Sequence, residues 1–131
     1  MKKLISILAL TAATLSFSAP TAFADEIIGS YVAYIGRDDL YNSKGARLTE
    51  PWQILRQDRA NYHRFGIAQA GDEGDSFFGS IKNRAIMERM IMNGSITSGA
   101  RSGLLQGGAT VFVRIYGVGS RGNYVKVTVV N

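Results

Sequence analysis

Thr110-Val-Phe-Val-Arg-Ile-Tyr-Gly-Val-Gly-Ser-Arg-Gly-Asn-Tyr-Val-Lys-Val-Thr-Val129 consists of two alternating runs around a glycine-rich joint. Val111, Val113 and Ile115 alternate with Thr110, Phe112, Arg114 and Tyr116; Val125, Val127 and Val129 alternate with Tyr124, Lys126 and Thr128. A period of two places alternate side chains on opposite faces of a strand, so each run predicts a half-buried strand with a β-branched inner face. Gly117 to Asn123 is expected to join them as an antiparallel hairpin loop. Such a hairpin needs another strand and a cover for its apolar face.

The upstream sequence offers both. Tyr31 to Ile35 alternates and predicts a strand, ended by Gly36-Arg37-Asp38-Asp39. Asn42-Ser43-Lys44-Gly45 is a turn signal. Thr49-Glu50-Pro51 starts a helix, with Thr49 as the expected cap and Pro51 in the first turn; it runs to Phe65 and stops at Gly66. Trp52, Ile54, Leu55, Tyr62 and Phe65 form its expected core side. Gly71-Asp72-Glu73-Gly74-Asp75 reads as an acidic loop, pinned by Phe77 and Phe78. Ser80 caps a second helix ending near Asn93-Gly94, and Thr97 to Gln106 predicts a short third one before Gly107-Gly108. The predicted fold class is a small single α+β domain: an antiparallel sheet of about three strands, the N-terminal strand plus the C-terminal hairpin, covered by two to three helices.

Of the 131 residues, the first 24 read as a secretory leader. Lys2 and Lys3 supply the positive start, Leu4 to Phe17 the uncharged apolar run, and Ala22-Phe23-Ala24 the small-residue cleavage site. The apolar run is shorter than the roughly 20 residues a spanning helix needs, so cleavage after Ala24 is expected rather than anchoring. Without those 24 residues, 107 remain (25–131), enough for one domain to bury its own core. No later stretch reads as transmembrane. The chain has no cysteine, so its stability outside the cytoplasm must come from packing. The net charge of +5 includes Lys2 and Lys3, which leaves +3 on the exported part, where ten of the basic residues are arginine. The expected address is the periplasm and the expected partner an anionic envelope component or an acidic protein; nucleic acid is not expected there.

Arg56, Arg59, His63 and Arg64 lie within about two turns of the first helix, with Arg56, Arg59 and His63 on one side. Together with Arg121 they are the candidate anion-binding residues, although a solvated basic face has the same pattern. Asp58 falls where an apolar residue belongs, so its carboxylate must be paired or take up a proton; it is read as a buried polar anchor, with general base as the alternative. Gly117-x-Gly119-x-x-Gly122 matches a dinucleotide fingerprint in letters only, because a strand and not a helix follows. The spacing of Asp72, Glu73 and Asp75 does not fit a calcium loop. Met87, Met90 and Met92 do not share one helix side, so a copper site is not expected. Met87, Met90 and Ile91 are instead expected either to pack in the core or to meet a protein partner, since the helix is apolar on more than one face. No catalytic set, metal site or cofactor is expected.

Tyr41-Asn-Ser-Lys-Gly45, Pro51-Trp-Gln-Ile-Leu-Arg-Gln-Asp-Arg-Ala-Asn-Tyr-His-Arg-Phe-Gly66 and Gly74-Asp-Ser-Phe-Phe78 together resemble a pattern found in small exported proteins of Gram-negative bacteria. The resemblance spans most of the chain after the leader. It implies a periplasmic address and brings no activity and no binding residues. The functional expectation is therefore a non-enzymatic periplasmic binding or interaction protein. The alternatives are a small envelope hydrolase with an acidic general base (Asp58 or Asp75 with His63 or a tyrosine), and a structural or inhibitory subunit docking through the Met-rich helix.

Overall fold

A computed structural model describes residues 13–16 and 24–131. The leader and its cleavage site therefore fall almost wholly outside the described residues.

The two alternating runs form strands β3 (Thr110–Val118) and β4 (Arg121–Val129), paired antiparallel with Val113 opposite Val127. The joint is tighter than the glycine count suggests. Gly117 and Gly122 already pair, and only Gly119 and Ser120 turn the chain. Gly119 sits at φ 60°, the backbone a two-residue hairpin turn with glycine in first place demands. Strand β1 (Glu26–Tyr34) is longer than predicted and pairs antiparallel with β3. Ser95–Ile96 forms a short strand, β2, that pairs parallel with β4. The sheet order is β1-β3-β4-β2, so the expected antiparallel three-strand sheet is a four-strand mixed one. The two-residue strand β2 is too short to show any alternation, which is why the pattern missed it.

The inner face follows the period-two pattern. Tyr31, Ala33, Val111, Val113, Ile115, Val125 and Val127 are all buried. Each such aliphatic side chain contributes about 1.5–3 kcal/mol through burial. On the outer face Tyr116 and Tyr124 stack 4.8 Å apart across the hairpin.

Among the described residues four α-helices form the layer on the inner side: α1 (Pro51–Ala60), α2 (Ile81–Ala85), α3 (Met87–Met92) and α4 (Ser98–Gln106). Helices α3 and α4 lie on β4, and α1 packs on both. Glu50, not Thr49, is the cap position of α1; the Gln53 side chain reaches back to accept the backbone N–H groups of Thr49 and Glu50, both at 3.2 Å. The predicted second helix is two, because Ile86 (φ −96°, ψ 9°) leaves helical geometry. Ser80 and Thr97 cap α2 and α4, accepting the N–H groups of Asn83 and Ala100. Among the described residues no helix is long and apolar enough to cross a membrane.

Met87 and Met90 require a correction. Both are fully buried in the core beneath β4, so of the two expected roles these residues take packing and not partner contact. Ile91 is half-buried, and Met92 is the thioether that faces out, 76% exposed.

Candidate functional site

The first helix does not end where α1 stops. Asn61–Phe65 continues it as a single π-turn, closed by Gly66 at φ 67°. A π-turn is wider than an α-turn and breaks the 3.6-residue phase. Phe65, expected in the core, is thereby rotated outward and is 47% exposed.

The α1 face turned to the core carries charge. Asp58 is 1% and Arg59 0% exposed. Arg59 Nε donates to Asp58 Oδ2 at 2.7 Å, and its Nη1 donates to Asp75 Oδ1 and the Glu73 carbonyl, both at 2.9 Å. The guanidinium lies over the Tyr31 ring, 3.8 Å from its centroid. Burial opposes its charge, but Tyr31, Asp58 and the carboxylate bonds outweigh burial and hold its pKa above the ordinary value. Burial pushes Asp58 up to about 7, against the opposing pull of Arg59. Burial likewise raises Tyr31 well above its usual value.

Asp75 is the hinge of this network. One oxygen takes Arg59 and His63 Nε2 (3.1 Å); the other takes the Phe78 N–H at 2.6 Å. Asp72 and Glu73 accept the backbone N–H groups of Tyr34 and Val32, so the acidic loop covers the free edge of β1. A second buried set sits beside it. Asn61 Nδ2 donates to Asp39 Oδ1, Gln57 Nε2 donates to Asn61 Oδ1 (each 2.9 Å), and Asp39 Oδ2 accepts the Gly36 N–H. Burial raises the Asp39 pKa, while the bonds from Asn61 and Gly36 pull it back.

These networks are built to hold elements together. Asp58 is sealed from solvent, with Oδ1 left without a partner, and both oxygens of Asp75 accept hydrogen bonds from within the fold. Among the described residues His63 bonds only to Asp75, and no group of three His, Asp or Glu side chains stands close enough to hold a metal ion.

The outward side of the same helix is different. Arg56, Gln57, Ala60 and Arg64 face Ile81, Arg84 and Ala85 across a groove of about 210 Å³. Three of these residues are arginines and none is acidic. Arg56 stacks on Trp52 and Arg64 on Phe65, at 4.8 and 5.0 Å from the ring centroids. Arg84 is anchored by Nη1 to the carbonyls of Phe78 and Gly79. On the other side of the helix lies a larger cleft of about 520 Å³, walled by Arg37, Asp38, Tyr41, Asn42, Ser43 and Gly45 and by Gln57, Asn61, Phe65 and Ile67.

The structure thus divides the candidate anion residues. Arg56 and Arg64 share the groove. Arg59 points into the core, and His63 is tied to Asp75 with 16% of its side chain exposed. Arg121 is exposed at the hairpin turn and is not part of the groove wall. The sequence reading missed Arg84 and the Asp39–Asn61–Gln57 set. The Gly36-x-x-Asp39 spacing, in which a side chain accepts a backbone N–H three residues back, was the one available signal for the latter. Compared with protein-family models, curated proteins and solved structures, the chain matches none.

Proposed function

We propose that the protein is a non-enzymatic, exported binding protein of the periplasm that takes an anionic group of an envelope component or acidic partner into the groove between α1 and α2. Arg56 and Arg64 make the contacts, and Arg84 supplies a third positive charge from the opposite wall. One observation carries this reading: three arginine residues line a single concavity with no acidic residue among its walls, Arg56 and Arg64 form no ion pair among the described residues, and Arg84, largely buried, has its Nη1 on the Phe78 and Gly79 carbonyls and no carboxylate partner among them. Like charges gathered without a counter-charge repel one another, and an anion that bridges them relieves that repulsion. The stacking on Trp52 and Phe65 holds each planar fork in place, so less side-chain freedom is lost on binding.

Calorimetric titration with inorganic pyrophosphate, run at low salt and again at high salt, tests the reading. Affinity is expected to fall as salt rises, because the groove is open to screening ions. Arg56→Ala combined with Arg64→Ala is expected to weaken binding by about tenfold or more, about 1.4 kcal/mol, while Arg121→Ala leaves it unchanged. Affinity indifferent to salt and to the double substitution removes the proposal.

A further inference from the structure

Two depressions share one helical wall. Residues 56, 60 and 64 line the arginine groove, and their immediate successors Asn61 and Phe65 line the larger cleft, with Gln57 lining both. The helix therefore forms a ridge, cationic on one flank and amide-and-aromatic on the other, and Gln57 is its crest. The cleft flank has its own chemistry. Arg37 and Asp38 cancel in charge, Ser43 and Gln57 offer a hydroxyl and an amide, and Phe65 and Ile67 leave apolar surface in solvent, 47% and 40% exposed. Gln57 spends Nε2 on Asn61, which leaves Oε1 to accept. A volume of about 520 Å³ lies within the range of small-ligand sites, about 300–1,000 Å³.

We infer that the anionic ligand is an acidic saccharide, its acid group held by Arg56 and Arg64 and a neighbouring sugar ring seated in the cleft beside Phe65 and Gln57. A sugar ring presents C–H faces that pack on an aromatic side chain and hydroxyls that donate and accept, which matches a wall that mixes rings with uncharged polar groups. A bare anion would use the groove and leave the cleft idle. A neutral sugar would use the cleft and leave three arginines unanswered. Joining both groups in one molecule makes the second contact intramolecular and raises affinity without any new wall. The inference rests on the proposed anion groove.

Calorimetry with four probes decides it: pyrophosphate, maltotriose, trigalacturonate and triglutamate. Trigalacturonate is expected to bind about tenfold or more tighter than triglutamate, used as its N-acetyl C-terminal amide so that it carries the same three carboxylates without sugar rings. Phe65→Ser is expected to remove that advantage while weakening pyrophosphate and triglutamate alike, because Arg64 rests on the Phe65 ring, and Ile67→Ser, at a residue that lines the cleft and not the groove, is expected to reduce the advantage and leave pyrophosphate binding unchanged. Equal affinity for trigalacturonate and triglutamate overturns the saccharide assignment, as does an advantage that survives Phe65→Ser; the arginine groove stands in both cases if pyrophosphate still binds. Maltotriose binding as tightly as trigalacturonate also overturns it, because the acid group would then contribute nothing. Failure of every anionic probe sinks groove and inference together.

Discussion

Replacing Arg59 with methionine separates a structural arginine from a ligand-binding one. Arg59 is fully buried and donates three charge-assisted or carbonyl hydrogen bonds, to Asp58, Asp75 and the Glu73 carbonyl, while its guanidinium lies over Tyr31 and 4.9 Å from the Tyr62 ring centroid. Bonds to charged groups contribute about 1.5–3 kcal/mol each, and a desolvated cation–ring contact about 2 kcal/mol. Against that gross sum stands the desolvation that methionine no longer bears, so the net loss should fall in the range for breaking a buried pair, about 3–5 kcal/mol. For a domain whose total stability is about 5–15 kcal/mol, that is about a fifth or more. With a urea dependence of about 1–2 kcal/mol per molar, the unfolding midpoint of Arg59→Met should drop by roughly 1.5–5 M, or to below zero denaturant where the parent is marginal. Arg56→Met, on the exposed side of the same helix, should move it by less than about 0.5 M. Asp58→Leu combined with Arg59→Met should recover part of the loss, because a well-packed apolar pair avoids the cost of a stranded carboxylate. A midpoint for Arg59→Met within about 0.5 M of the parent protein, accompanied by loss of pyrophosphate affinity, would refute the assignment of Arg59 to the core.

Three further outcomes are expected. Asp58 titrates near 7 in the folded chain, above its unfolded value of 3.8, so the fold binds this proton more tightly; its contribution to stability is full below about pH 4 and is lost as pH rises through 7. That difference of about three pH units caps the effect at about 4 kcal/mol, and Asp58→Asn should flatten this part of the stability profile between about pH 4 and 7, as read by urea unfolding at stepped pH. A Cβ at Gly94 would collide with the Val125 carbonyl oxygen, so Gly94→Ala should force β2 away from β4 and lower the thermal midpoint by several degrees, whereas Ser95→Ala should not. Mass spectrometry of the protein recovered from the periplasm should find a chain beginning at Asp25; a chain that keeps Met1 contradicts the leader reading.

Most of the scaffold was legible because it obeys simple periods. Val111, Val113 and Ile115 declared their buried face, Gly66 ended the first helix, and Asp58 stood out as a carboxylate among apolar neighbours. What was hidden depended on partners distant in sequence. Arg59 looked like one more surface arginine until Asp75, sixteen residues on, turned it inward. Phe65 had the right spacing for the core, but the π-turn shifted its phase. Met87 and Met90 fitted core and interface equally well because the pattern showed apolar residues on more than one face of the helix, and only the position of β4 shows which side is covered. The groove itself was half visible. Arg56 and Arg64 belonged to the predicted set, while Arg84 came from another helix and carried no local signal.

The central claim is that Arg56, Arg64 and Arg84 together receive one anion. Side-chain Nε–Hε resonances of the arginines, followed by NMR during a pyrophosphate titration, test it most directly. Signals of these three should shift together with one saturation curve, while those of Arg59 and Arg121 stay in place. Shifts spread evenly over all exposed arginines, or led by Arg121, would contradict it.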